Sequence, residues 1–297
     1  MSVTLAARRR PVPRGASRRA DIDRVSTLRV PRLRSRRLTS LLLAGLVATT
    51  LLGSLPAPAG ATTTVESLNA MVVGWLNRDR AAMGLVPVRP WTALTQLAGE
   101  RAANLASSGV LAHAAAGPNV GTQLTARNLQ WYGFGEIIGM SGWPWGSEAA
   151  ANIYNLWKGS PSHHEIMFSA YYNYVGVGFA YRASDKTTWA SVVFTESADH
   201  TAPVARNVGI KAVGTTVTYR WSGYDPLLQT HTAGLRSFDL QYRVDGGTWR
   251  LIRDNTTSTS VSLSGRAHRH WYSFRIQAAD RRGNLSRWTS EIRVWVP

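Results

Sequence analysis

The period of the apolar residues changes once along this 297-residue chain, near the segment SADHTAP, Ser197–Pro203, so its two sides must fold by different rules. Upstream the spacing is helical. Leu68, Val72, Trp75, Leu76 and Met83 form one stripe closed by Gly84, and Leu94, Leu97, Ala98, Arg101, Ala102 and Leu105 form a second closed by Gly109. A third helix is predicted from Ser147, as N-cap, through Ala150, Ile153 and Trp157 to Gly159. The glycine-rich, aromatic stretch 114–146 predicts short helical pieces and loops. VGVGFAY, Val175–Tyr181, and TWASVVFT, Thr188–Thr195, read as two strands joined by a turn around Ser184 and Asp185. Helices first and a hairpin last predict an α+β layered domain.

Downstream of Pro203 the pattern alternates with period two. TVTYRW, FDLQYRV, TWRLI, TSVSL, YSFRIQAAD and EIRVWV follow one another, with Asp245-Gly246-Gly247 as a hairpin turn. About six or seven short strands in roughly 100 residues predict an all-β sandwich.

The formal net charge is +17, but it is unevenly placed. Residues 1–61 hold twelve arginines against two aspartates, and the remaining 236 positions hold 22 basic against 15 acidic residues without a dense basic run. That distribution argues against nucleic-acid binding. The arginine-rich lead runs into LTSLLLAGLVATTLLGSL, Leu38–Leu55, and then into small residues at Ala59 and Ala61, the order of a secretory signal. Cleavage after Ala61 is expected, releasing a secreted protein that starts at Thr62 and has no membrane span. Retention of the apolar run as an anchor is the alternative. Arg36 and Arg37 resemble a twin-arginine export signal, and a start codon downstream of Met1 would account equally for the long basic lead. The chain has no cysteine, which removes disulfides and thiol catalysis.

SPSHHEIMF, Ser160–Phe168, begins like a zinc peptidase helix. That helix needs H-E-x-x-H, so that two ligands share one face, and Phe168 stands where the second histidine should be.

The ordered set LNRDRAAMGLVPVRPWTAL, a lone His113, GFGEIIG, WKGSPSHH, YVGVGFAY and TWASVVF, over about residues 65–196, resembles the CAP superfamily, in particular its bacterial secreted branch. The C-terminal part resembles a fibronectin type III or related immunoglobulin-like domain, on APV at its start, Trp221, Leu263, Tyr272 opening YSFRIQAAD, and GNLSRW. The resemblances imply a signal-bearing lead at 1–61, a CAP-type α-β-α sandwich at 62–198 and a fibronectin III-like β-sandwich at 199–297. Tyr272 would be the buried tyrosine whose hydroxyl ties down a corner.

In the CAP family a shallow cleft is lined by two histidines and one or two glutamates. The matching positions are His113, Glu136 and His163; His164 falls where the bacterial pattern has arginine, and reads as a surface residue. Two departures stand out: Ser160 replaces a second glutamate, and Ile137 follows Glu136 where asparagine is usual. Two imidazoles and a carboxylate can bind zinc or another divalent cation, and can equally form a polar cluster. Ser160 and Ser162 lack a nucleophile elbow, which argues against a serine hydrolase. Trp131, Tyr132, Phe134, Trp143 and Trp145 either rim a groove or pack over a loop-rich face. The resemblance favours a binding protein over an enzyme, with an extracellular lipid, polysaccharide or protein as partner. The alternative is a metal-dependent, peptidase-like hydrolase with Glu136 as general base.

Overall fold

The computed structural model describes residues 2–5, 22–25 and 63–297. The apolar run Leu38–Leu55 and the expected cleavage position lie outside them. No helix among the described residues is long and apolar enough to cross a membrane.

The first helix, α1 (Val65–Ala82), starts where the Thr64 hydroxyl accepts the Ser67 amide, 3.2 Å. It buries Leu68, Val72, Leu76 and Arg80, one residue per four along a single stripe. Arg80 is fully buried, and its guanidinium donates to the carbonyls of Val86, Met167, Ser169 and Tyr172. A buried cation so placed ties the end of α1 to the chain 87 to 92 residues later. Burial pulls its pKa down to about 10, which leaves it charged at neutral pH. The second helix, α2 (Thr92–Ser108), ends on Gly109 at φ 68°, the left-handed conformation that glycine takes without strain. Shorter helices follow: α3 (Val120–Ala126), α4 (Ser147–Lys158) and α5 (Pro161–Met167).

The sheet between these helices is built on β4 (Gly133–Ser141), β5 (Tyr174–Arg182) and β6 (Thr187–Glu196), with β6 central and antiparallel to both neighbours. The short β3 (Arg89–Pro90) pairs parallel to β5, and β1 (Ser2–Leu5) and β2 (Ile22–Val25) extend the other edge beyond β4. Successive side chains alternate between two layers. Val175, Val177, Phe179, Val192 and Phe194 pack with α1, α4 and α5, whereas Tyr174 and Val193 pack with Leu94, Leu97 and Ala98 of α2. This is the expected α-β-α sandwich.

The VGVG stretch has a steric reason. A Cβ at Gly176 would lie 2.1 Å from the Leu94 carbonyl carbon, and one at Gly178 would lie 2.2 Å from the Gly99 nitrogen, so α2 rests its backbone directly on β5. The loop expectation for 114–146 fails at GFGEIIGMS, which is the buried strand β4. Its glycines interrupted the apolar alternation for the same cause: Cβ atoms at Gly135 and Gly139 would meet Tyr172 at 2.8 Å and Ile153 at 2.8 Å.

The second unit has seven strands. A three-stranded sheet in the order β11-β8-β7 joins β7 (Val204–Val213), β8 (Thr216–Tyr224) and β11 (Ser260–Leu263). It faces a four-stranded sheet in the order β10-β9-β12-β13, from β9 (Leu235–Val244), β10 (Arg250–Thr256), β12 (His270–Asp280) and β13 (Ile292–Val296). Tyr219, Trp221, Phe238, Leu240, Phe274 and Ile276 form the core between them. The Tyr272 hydroxyl accepts the Ala267 amide at 2.9 Å, closing the corner before β12.

No mobile tether separates the units. Ser197, Ala198 and Asp199 are buried to 0–1% exposure, and the β8–β9 loop reaches back into the first unit. Its Leu228, 2% exposed, belongs to the cluster of Leu94, Leu97, Val120 and Phe134. Gln229 accepts the Val86 amide, 2.7 Å, and the Thr230 hydroxyl donates to the Tyr171 carbonyl, 2.9 Å.

Candidate functional site

Glu136 stands on the α2 side of β4 and is 1% exposed. Its two oxygens together accept four donors. Oε1 takes Nε of Arg101 and the Ser191 hydroxyl, 3.0 Å; Oε2 takes Nη2 of Arg101, 2.7 Å, and Nδ1 of His113, 2.6 Å. A carboxylate has about four lone-pair sites, so all are filled. Burial alone would push its pKa up, but the hydrogen bonds from His113 and Arg101 outweigh it and hold the carboxyl below its ordinary value. The rest of the Arg101 fork binds the Pro118 carbonyl at 2.7 Å and the Gln123 side chain at 3.0 Å, bringing in the approach to α3 and α3 itself.

With Nδ1 engaged, His113 is left with Nε2, which is buried and has no hydrogen-bond partner among the described residues. His163, also buried, stands on α5, whose Ile166 and Met167 pack in the α1 and α4 layer. The structure therefore brings His113 and Glu136 together and sets His163 in the layer on the other side of β4. His164 is half-buried, its ring 4.4 Å from that of Phe168.

The aromatic residues around Glu136 are dispersed. Phe134 is core, Trp131 packs edge-on against it, Tyr132 lies 4.6 Å from His231 of the β-sandwich, and Trp145 packs on Phe179 and Tyr181. Trp143 is 55% exposed. A surface depression of about 520 Å³ lies beside the site on α3, lined by Asn119, Gly121, Thr122, Thr125, Ala126 and Trp131.

Arg101 and Ser191 were missed as site residues. Arg101 sits on the apolar stripe of α2, and an arginine facing a core calls for a buried carboxylate. That was its signal. Ser191 carried none, because one serine inside an apolar strand has no local pattern.

Among the described residues, the one set of three His or acidic side chains with ligand atoms mutually within 4.8 Å is Asp199, Asp225 and Asp280, at the junction of the two units. This triad can hold a metal ion; His113, Glu136 and His163 do not make such a set. Asp199 accepts the Thr201 and Ala233 amides at 2.7 and 2.8 Å, and Asp280 accepts those of Arg282 and Asn284 at 2.8 and 2.9 Å. Asp225 accepts the Gly234 amide at 2.6 Å through Oδ2, while its buried Oδ1 has no hydrogen-bond partner among the described residues. Burial, reinforced by the facing Asp199 and Asp280, raises its pKa against that amide bond.

A family model described as the cysteine-rich secretory protein family, CAP, matches residues 73–195. No curated protein matches the chain. Among solved structures, a cysteine-rich secretory protein from Staphylococcus aureus is 16% identical over 46% of this chain and 40% of its own, with a TM-score of 0.37. An extracellular protein containing an SCP domain from Bacillus anthracis is 16% identical over 49% and 45%, TM-score 0.39. The chain thus spans less than half the length of either. An Fn3-like protein from Clostridium thermocellum is 22% identical over 32% of this chain and 95% of its own, TM-score 0.24. Residues 73–195 are a CAP domain, and the β-sandwich region that follows them matches Fn3-like structures.

Proposed function

We propose that this is an exported protein that recognises an extracellular ligand at the CAP domain without hydrolysing it. The supporting observation is the saturation of Glu136. A general base needs a free lone pair directed at water and a pKa near the working pH. Glu136 has neither, since Arg101, His113 and Ser191 occupy its oxygens and hold it ionised and buried. Its work is to fix the His113 ring and brace α2 against β4. Recognition then falls to the surfaces on either side of β4, with His113 on one and the helix of His163 on the other. The CAP family match supports an extracellular or surface location.

A metal-dependent hydrolase is the second reading, and one observation favours it. A histidine whose Nδ1 is held by a carboxylate and whose Nε2 has no hydrogen-bond partner among the described residues is oriented as a metal ligand would be. In that reading zinc or another divalent cation binds at Nε2 of His113, and His163, in the layer on the other side of β4, does not join it. Glu136 does not fit as a ligand, because its lone pairs are spent.

One experiment separates the two. The purified chain, with and without added zinc, is tested for turnover on a panel of peptides and polysaccharides, beside His113→Ala. No turnover in any sample is the expected result. Zinc-dependent turnover that His113→Ala abolishes would replace the binding reading with the hydrolase.

A further inference from the structure

The charge left after residue 61 is concentrated in the β-sandwich. Residues 62–202 carry 8 basic and 9 acidic side chains, whereas 203–297 carry 14 basic and 6 acidic, a net of +8 in the smaller unit. All but one of those 14 are arginines. On β12 the inward side chains Tyr272, Phe274 and Ile276 are buried, so Trp271, Ser273 and Arg275 project from the outer face of the four-stranded sheet. Register places Trp271 opposite Trp295, and Ser273 between Arg293 and Arg243.

Two arginines of this face are committed internally. Arg275 lies 4.3 Å from Trp249 and 4.8 Å from Trp288, and donates to Gln241; Arg243 lies 4.6 Å from Trp249 and pairs with Glu291. This stack stiffens the sheet face. Arg293 differs: it is exposed, lies 4.7 Å over Trp271, and has no hydrogen-bond or ion-pair partner among the described residues. Trp271 and Trp295 are each 40% exposed, with rings 5.5 Å apart and inclined at 55°.

We propose that this face docks a polysaccharide bearing carboxylates, a function separate from the CAP site. The two indoles pack on each other, and their exposed surface offers an apolar patch to the C–H face of a sugar ring. The free guanidinium fork of Arg293 matches a carboxylate in two parallel hydrogen bonds. A flat nucleic-acid base fits less well, because Arg293 already covers one face of Trp271 and the second ring is not coplanar.

The test is binding of the purified full chain to immobilised polygalacturonate, with pullulan, single-stranded DNA and phosphatidylglycerol vesicles as competitors. Polygalacturonate should bind and the others compete poorly. Trp271→Ala and Trp295→Ala should each weaken binding about tenfold, a loss of about 1.4 kcal/mol. Arg293→Gln should weaken it severalfold and Arg293→Glu further. Arg206→Gln, which alters an arginine stacked on Tyr224 of the other sheet, should change little. Thermal unfolding of each variant checks that the sandwich is intact, and Trp→Phe replacements serve if an alanine variant unfolds. Failure to bind polygalacturonate, equal binding of pullulan, preference for DNA or vesicles, or full affinity in the three site variants would each overturn the proposal.

Discussion

Replacing Leu228 with alanine should destabilise the CAP domain, although the residue belongs to the sandwich. Its side chain is 2% exposed and packs among Leu94, Leu97, Val120 and Phe134. Losing three carbons at about 0.8 kcal/mol each removes about 2.4 kcal/mol of transfer free energy. The loop is pinned by Gln229 to Val86 and by Thr230 to Tyr171, so it cannot collapse to fill the space, and the cavity brings the loss to about 3–4 kcal/mol. Hydrogen exchange followed by mass spectrometry is the suitable assay, because it reads α2 and β12 separately. Protection in α2, Thr92–Ser108, should fall with that free energy while the middle of β12 changes less. Unchanged protection in α2, or a loss below about 1 kcal/mol, would refute the claim that the loop completes the CAP core. The same reasoning bears on the division at Ser197–Pro203. A fragment 62–198 should be less stable than the same residues in the whole chain, because removing Leu228 and its loop exposes apolar surface on α2.

Gly178→Ala should abolish soluble expression, since the added Cβ meets backbone at 2.2 Å and neither α2 nor β5 can yield; recovery of folded protein would contradict the close approach. Glu136→Gln should lower stability by about 3–5 kcal/mol by leaving the Arg101 charge buried and uncompensated, read as the urea midpoint. The depressed Glu136 pKa means that the stabilisation is present above the unfolded-state value and is lost as pH falls through the folded one. Asp79 is held at about 2, where burial is outweighed by hydrogen bonds from Lys158, Tyr154 and Arg78, so Asp79→Asn should cost about 1–2 kcal/mol at pH 7 and progressively less between pH 4 and pH 2. Asp225→Asn has the opposite sign: with a folded pKa above 3.8, the wild type loses stability as pH rises through it, so the variant should melt a few degrees higher at pH 7. Excess calcium should reverse that ranking if the aspartate triad takes up a cation.

Helical stripes and alternating strands were legible because each is a local pattern with its own period. Helices α1 and α2, the β5–β6 hairpin and the sandwich strands follow from residues that face one core. Strand β4 was not, because it is buried on both faces and carries glycines wherever a neighbour comes too close for a Cβ, which erases the alternation. The candidate site divides in the same way. His113 and Glu136 were singled out through a family resemblance, and the structure joins them at 2.6 Å. Arg101 was in plain view within an apolar stripe, and its buried charge implied a carboxylate without saying which. The aspartate triad was invisible, since Asp199 lies between the units, Asp225 follows β8 and Asp280 ends β12, and only the fold brings these distant positions together.

That docking changes what the second domain can do. The β8–β9 loop and the chain after Asp280 meet the CAP domain, whereas Trp271 and Trp295 stand at the start of β12 and the end of β13, the opposite pole of the sandwich. Asp280, the last residue of β12, lies nine residues beyond Trp271, so at about 3.3 Å per residue the two tryptophans lie on the order of 30 Å from the joint. Leu228 and the hydrogen bonds around it hold that separation. A flexible tether would let the two surfaces search independently, with an effective concentration set by linker length. A fixed strut presents them at one spacing. On the two functions proposed above, this gives Leu228→Ala a second consequence: a ligand that reaches both surfaces should be held less tightly, without any change at Trp271, Trp295 or Arg293.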